Sequence, residues 1–255
     1  MQLNQVKALI TGGVSGLGLA VARKLVDAGG DAVLLDINDE AGEKVAAELG
    51  DRVRYLNTDV SNESAVEAAV KSAADHMGAV NVAANCAGII GAGRVLGREA
   101  PMALEYFSRV IQVNLVGAFN VSKAAGAVME QNEPGPDGER GVIISTSSVA
   151  AFDGQIGQAA YAASKAGIVG MTLPIAREYT RIGVRVMAIA PGIFHTPMVD
   201  GMPDHVQESL GASIPFPKRL GRPEEFAELV AHIVENGYLN GETIRLDGAV
   251  RLAPK

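Results

Sequence analysis

The chain has 255 residues, of which 48% are hydrophobic and 30 are glycine, with no tryptophan and a formal net charge of −7. That size and balance suit one soluble α/β domain spanning 1–255, and the lack of repeats or biased tracts argues against a solenoid or a disordered tail. The scattered basic residues offer no stripe for a phosphate backbone, which argues against nucleic acid. The one cysteine, Cys86, excludes an internal disulfide and a multi-cysteine metal site, and no apolar run is long enough to span a membrane.

"VKALITGG" (6–13) reads as a buried strand and "LGLAVARKLVDAGG" (17–30) as a helix closed by glycine. A strand so near the start leaves no room for a secretory signal, so the expected location is the cytoplasm, or an organelle matrix if a targeting segment has been removed. "DAVLLD" (31–36) is the next strand. The alternation continues with helix 39–50, strand 52–57, helix 63–78 and the strand of "VNVAANCAG". Strands that are unbroken apolar runs between amphipathic helices predict a parallel, doubly wound sheet of about seven strands with helices on both faces, a Rossmann-type fold.

A long helical stretch follows from about Pro101 to Glu130, then "NEPGPDGERG" (132–141), the most loop-like segment in the chain. "VIISTSS" is a strand, the segment carrying "YAASK" (161–165) a helix, and "GVRVMAIAPG" a strand and turn. Residues 195–222, rich in Pro and Gly, interrupt the rhythm before a helix from Pro223 and a last strand in "ETIRLDG". An irregular insertion after a strand's carboxyl end lies where open α/β sheets bind ligands, so it is expected to be a flap over a site.

"TGGVSGLG" (11–18) places Gly12, Gly16 and Gly18 between the first strand and the first helix. Glycines there permit a tight turn, close approach of a pyrophosphate and close helix packing, while the helix N-terminus attracts the anion. Asp36, at the end of the second strand, is placed to accept the adenosine ribose hydroxyls, the alternative being a solvated turn aspartate. A carboxylate there repels a 2′-phosphate, and neither Leu17 nor Ile37 supplies a cation, so NAD is expected over NADP. Asp59 and Val60 follow the third strand, where they either meet the adenine or, for Asp59, cap the next helix.

Tyr161 and Lys165, four apart, share one helix face, which suits either close helix packing or paired chemistry. Oxidising an alcohol needs a base for its proton, and a neighbouring ammonium favours the phenolate of a tyrosine that is otherwise protonated at neutral pH. Ser145, Ser147 and Ser148 all lie near one strand end, and their positions alone do not choose between them. Asn114, a polar residue on an apolar helical face, also fits a main-chain bond at a kink.

In order and spacing, "TGGVSGLG", "NCAG" (85–88), "VNLVG" (113–117), "SS" (147–148), "YAASK" and "PG" (191–192) resemble the short-chain dehydrogenase/reductase family along essentially the full chain. Longer stretches, among them "RVMAIAPGIFHTP", "PFPKRLG" and "LNGETIRLDGAVR", resemble its type-2 3-hydroxyacyl-CoA dehydrogenase group. The resemblance implies hydride transfer between a secondary alcohol, most simply a 3-hydroxyacyl-CoA, and NAD, in a homotetramer active in fatty acid metabolism. It assigns catalysis to Ser148, Tyr161, Lys165 and Asn114. It assigns NAD binding to Gly12, Ser15, Gly16, Leu17, Gly18, Asp36, Asp59, Val60, Cys86, Gly88, Tyr161, Lys165, Phe194 and Thr196, with Phe194 and Thr196 near the nicotinamide.

Cys86 then makes a main-chain contact to the cofactor, or is a small buried thiol. His195 departs from the group's usual small residue and either faces solvent or lines the entrance. Substrate contacts are expected from Ser148, Gln155, Gln158 and Tyr161. Met198, Met202, Leu210 and Phe216 of the flap suit an acyl chain or a flat alicyclic skeleton, or simply pack. Arg94, Arg98, Lys218, Arg219 and Arg222 either meet CoA phosphates or are ordinary surface cations. A hydroxysteroid, a simple secondary alcohol or an acyl carrier protein on the same machinery is the alternative substrate, and a non-catalytic NAD-binding scaffold the alternative role.

Overall fold

The computed structural model describes residues 1–200 and 204–254, so Met202 of the expected flap lies outside the described residues, as does the side chain of Met198. Seven parallel strands form one sheet: β1 (Lys7–Thr11), β2 (Asp31–Asp36), β3 (Val53–Asn57), β4 (Val82–Asn85), β5 (Gly141–Thr146), β6 (Val184–Pro191) and β7 (Thr243–Leu246). Their order across the sheet is β3-β2-β1-β4-β5-β6-β7. The order reverses direction between β1 and β4, where an open sheet leaves a crevice at its carboxyl edge.

Alternation along the strands sorts the core into two layers. Ala8, Ile10, Leu34, Val142 and Ile189 face a layer with Val21 and Leu25 of α1 (Gly16–Asp27) and Phe226 and Val230 of α9 (Pro223–Glu235). Leu9, Val33, Leu35, Ile143 and Val186 face the other way, onto Val66 of α3 (Glu63–Met77), Val121 of α5 (Gly117–Met129) and Ile175 of α6 (Ala159–Tyr179). Each such fully buried aliphatic side chain stabilises the fold by roughly 1.5–3 kcal/mol. The expected doubly wound sheet is therefore the observed one.

Local details differ from the expectation in ways that side-chain bonding explains. Helix α3 is capped by Asn62, whose side chain accepts from Ala65 N at 3.1 Å, and not by Asp59. Asp59 instead folds its carboxylate onto Ser61 N and Ser61 Oγ, at 2.9 and 2.7 Å. Asn38 caps α2 (Asp39–Leu49) in the same manner. The helix expected from Pro101 begins at Leu104 as α4 (Leu104–Ile111), passes through a π-helical turn over Gln112–Val116, and resumes as α5. Pro101 and Leu96 pair in an isolated bridge ahead of it.

Segment 132–141 is tied down: Asn132 Nδ2 donates to Val80 O and Arg140 O, and Arg140 N donates to Gly183 O. The flap region carries two short helices, α7 (Pro197–Asp200) and α8 (Asp204–Ala212). It has a small core of its own, formed by Val199, Ile214, Leu220 and Val250, on which Leu210 packs.

Candidate active site

The site is built at the carboxyl ends of β1, β4, β5 and β6. After β1 the chain turns through Gly12 and Gly16, both with positive φ, into α1. A Cβ on Gly12 would come within 2.9 Å of Ala87 N, and one on Gly18 within 2.2 Å of Gly12 O, so only glycine lets the turn close. Thr11, buried beneath, accepts at its Oγ1 from Cys86 N and Ala87 N, both at 3.1 Å, locking the β4 end to the turn. Ser15 stands at the N-cap of α1 without making a side-chain cap bond, and the first turn carries no acid. Leu17 packs on the core.

Asp36 ends β2 beside this turn. One carboxylate oxygen accepts from Ile37 N and Asn38 N, at 2.8 and 3.2 Å. The Tyr55 hydroxyl donates to Asp36 O and Asp39 Oδ1, which fixes the loop. Val60 turns its side chain inward against Gly117, so only its main chain is left for a ligand.

At the other end of the turn, three neighbouring serines receive three different tasks. Ser145 Oγ accepts from Asn85 Nδ2 at 3.1 Å, Ser147 Oγ donates to Lys165 O at 2.9 Å, and Ser148 Oγ accepts from Ala150 N at 3.1 Å. Ser148 also faces the Tyr161 phenol, close enough to pull its pKa down against the effect of burial. The choice that spacing alone leaves open is thus made by geometry: Ser148 is the serine that meets Tyr161.

Lys165 is buried, its Nζ donating to Thr146 O at 2.8 Å and lying 5.8 Å from the centre of the Tyr161 ring. Burial lowers its pKa to about 8, so at neutral pH the ammonium keeps its proton. Burial also holds the Tyr161 phenol above its ordinary value, opposed by the Ser148 hydroxyl. Both sides of the helix question are therefore answered together: α6 packs closely, with Gly167 against Leu115, and also carries a buried lysine beside a half-buried tyrosine.

Asn114 sits in the π-helical turn, buried. Its Oδ1 accepts from Ile89 N at 2.8 Å and its Nδ2 donates to Ile89 O at 3.0 Å and Ser164 Oγ at 3.1 Å. The extra residue of the π turn re-aims this amide toward β4. Gly88 lies between the two groups: a Cβ there would meet Asn114 Oδ1 at 3.2 Å and Lys165 Nζ at 3.5 Å.

Other expected site residues are placed differently. The Cys86 N–H is taken by Thr11, its Sγ accepts from Thr146 Oγ1 at 3.5 Å, and burial pushes the thiol up to about 11. The Phe194 ring is buried in the core, edge-on to Phe226 with centroids 6.5 Å apart. Thr196 stands over the glycine turn, its methyl 3.6 Å from where a Cβ of Gly16 would be. His195 is exposed, its N–H donating to Gly221 O.

Gln155 and Gln158 bond each other, and Gln155 Nε2 donates to Ala253 O at 2.9 Å, so these amides hold the 153–158 loop to the C-terminal segment. Arg219 and Arg222 both pair with Glu225, which leaves Arg94, Arg98 and Lys218 exposed. Thr11 and Thr146 are the contributors that residue-type reasoning passed over. Their signal is only their place directly at a strand end.

No helix among the described residues is long and apolar enough to cross a membrane, and they contain no cluster of metal-ligating side chains. The model of the short chain dehydrogenase family matches residues 6–207. The 3-hydroxyacyl-CoA dehydrogenase type-2 of Bos taurus is 55% identical over 97% of this chain and 95% of its own length, and that of Homo sapiens 53% identical over the same shares. The crystal structure of 3-hydroxyacyl-CoA dehydrogenase type-2 from Mycobacterium avium superposes with a TM-score of 0.95 at 41% identity, covering 100% of this chain and 99% of that one. With a glycine turn, a Ser148–Tyr161–Lys165 cluster and this sheet order in place, the chain is an oxidoreductase that belongs to the short chain dehydrogenase family.

Proposed function

We propose that the chain oxidises a secondary alcohol, specifically a 3-hydroxyacyl-CoA, to the ketone with NAD, reversibly. The observation that carries this reading is the convergence of Ser148, Tyr161 and Lys165 on one largely buried point beside Gly88, at the strand ends next to the glycine turn. The choice of substrate follows the relatives at 51–55% identity, all named for that activity. The crevice fits a dinucleotide: Gly12 and Gly18 admit no side chain, Ser15 has its hydroxyl unspent on the α1 cap, and Asp36 presents a carboxylate at the end of β2 with no cation beside it. That carboxylate favours NAD over NADP.

When bound, the nicotinamide supplies the hydride acceptor. The chain's residues handle the proton. The Ser148 hydroxyl orients the substrate oxygen, the Tyr161 phenolate accepts the hydroxyl proton as the carbinol C–H leaves as hydride, and the C–O single bond becomes the carbonyl. The Lys165 ammonium stabilises the phenolate and is placed to hold the nicotinamide ribose. Asn114 aligns the Ile89 backbone and, through Ser164, the turn of α6 that carries both residues. The site belongs to one domain, with residues 195–222 as the substrate flap.

The chain acts as a homotetramer in fatty acid metabolism, in the cytoplasm or an organelle matrix. Leu104, Tyr106 and Phe119 on α4 and α5 supply exposed apolar surface suited to subunit contact. The deciding assay follows formation of reduced nicotinamide from (S)-3-hydroxyacyl-CoAs, hydroxysteroids and simple secondary alcohols, with NAD and NADP in parallel. Clear preference for an acyl-CoA with NAD is the expected result, and activity on the other alcohols alone would remove the CoA assignment.

A further inference from the structure

We propose that Ser147 is a positioning residue that sets the place of Lys165 by holding that lysine's own main-chain carbonyl against the end of β5. This inference rests on the dehydrogenase reading above. Ser147 is buried, and its own N–H donates to Ile189 O at 2.7 Å, extending the β5–β6 ladder by one bond beyond Thr146. Its Oγ donates to Lys165 O at 2.9 Å. The residue before it, Thr146, accepts from the other end of the same lysine, Nζ, at 2.8 Å. Two consecutive residues at one strand end therefore hold the main-chain carbonyl and the side-chain tip of one lysine.

Lysine has among the largest rotamer freedom of any residue, so fixing only its tip would leave the path of its stem open. Fixing its carbonyl to the strand as well sets the height of α6 above β5. That height sets the separation of Nζ from the Tyr161 ring, 5.8 Å here. The carbonyl belongs to the interior of α6, where a helix already supplies a donor from the next turn. The serine bond is thus an additional one, joining two elements, and its removal orphans no buried group. Ser164 Oγ does the corresponding task within the helix, donating to Tyr161 O at 2.7 Å while accepting from Asn114.

The groups around Lys165 keep the test readable. Tyr161 faces it from its own helix and Cys86 from the end of β4, the thiol staying neutral below its value of about 11. Asn114 and Ser164 from the helical side, and Thr146, Ser147 and Ser148 at the end of β5 and just beyond it, bring no titrating group.

The test compares wild type, Ser147→Ala and Ser147→Thr across about pH 6 to 10, with Tyr161→Phe as control. For Ser147→Ala, kcat for alcohol oxidation should fall about 5- to 20-fold at neutral pH with KM within about twofold, and the rising limb of the kcat profile should move up by roughly half a pH unit or more. A displaced ammonium stabilises the phenolate less, which raises the pH at which Tyr161 loses its proton. Ser147→Thr, which keeps the hydroxyl, should restore the limb. Ser147→Cys keeps the volume and replaces a good donor by a poor one, and gives the same reading if the alanine variant folds poorly.

The same shift can be read without turnover, from the ultraviolet titration of Tyr161 taken as the difference between each protein and its Tyr161→Phe counterpart. An unshifted limb in Ser147→Ala, whatever its kcat or thermal stability, overturns the proposal and leaves the serine a packing residue. Undiminished turnover in Tyr161→Phe overturns instead the reading on which it rests.

Discussion

The two rims of the crevice are made from opposite materials. Around the glycine turn and the end of β2, small residues and main-chain bonds leave almost nothing to adjust: Gly18 has no room for a methyl, Thr11 holds Cys86 and Ala87, and Tyr55 ties Asp36 to Asp39. On the opposite rim, the 90–103 segment and the flap expose large apolar side chains, with Leu96 at 75% and Phe216 at 81% accessibility. Chemistry demands placement to within a fraction of an ångström, and only a packed interior supplies it. Recognition of an apolar substrate needs surface that water covers poorly and a ligand can cover instead. On the proposed function the two demands are separated in space, so substrate preference would change without disturbing Ser148, Tyr161 and Lys165.

The comparison breaks most visibly at Tyr161. Tyr161→Phe removes the proposed proton acceptor but little volume, so kcat should fall by about a thousandfold or more while reduced nicotinamide binds with near wild-type affinity. Measured single-turnover rates and cofactor titration check both halves of that expectation. Next in size is Asp36→Ala, which removes the carboxylate proposed to repel a 2′-phosphate. The ratio of kcat/KM with NAD to that with NADP should drop roughly 10- to 100-fold, and an unchanged ratio would remove Asp36 from cofactor choice.

Lys165→Met sharpens the contrast differently, because the catalytic interior is costly to fold. The folded-state pKa of Lys165 is about 8 against 10.5 for the unperturbed group, so below about pH 8 both states carry the proton and burial destabilises the fold fully. Between pH 8 and 10.5 the folded chain sheds the proton first, and the cost is relieved. At pH 7 the methionine variant should therefore be inactive yet more stable by about 1–3 kcal/mol, with the advantage shrinking as pH rises through that window. Thermal unfolding at several pH values reads this directly. The smallest effect belongs to the other rim: Phe216→Ser should raise KM for long acyl substrates about 3- to 10-fold, while stability changes by less than about 0.5 kcal/mol. Equal losses for short and long substrates would show that Phe216 does not meet the chain.

Much of this was legible from residues alone, for reasons that are local. Gly12, Gly16 and Gly18 announce a turn because only glycine tolerates the backbone and the close approach there, and β1 and β2 announce themselves as buried strands through unbroken apolar runs. The helix face shared by Tyr161 and Lys165 follows from helical geometry. What residue type left open was pairwise and non-local. Asp59 is as good a cap as Asn62 by type, and only the backbone decides which one reaches the helix. The Phe194 ring packs edge-on to Phe226, thirty-two positions on, a contact that local sequence does not announce. The Gln155 amide is likewise held by the C-terminal segment, ninety-eight positions on.

The sequence by itself determined the layered α/β architecture, the glycine turn with Asp36 beyond it, and the presence of Tyr161 and Lys165 on one face, since each depends on residues within a turn or a strand of each other. Tertiary structure alone decided which of three serines meets Tyr161, that Lys165 is buried with its carbonyl and its Nζ held at the end of β5, and that Asn114 reaches Ile89 and Ser164. Those bonds join elements brought together by parallel pairing of β4, β5 and β6, and a hydrogen bond is decided by tenths of an ångström that no residue's identity encodes.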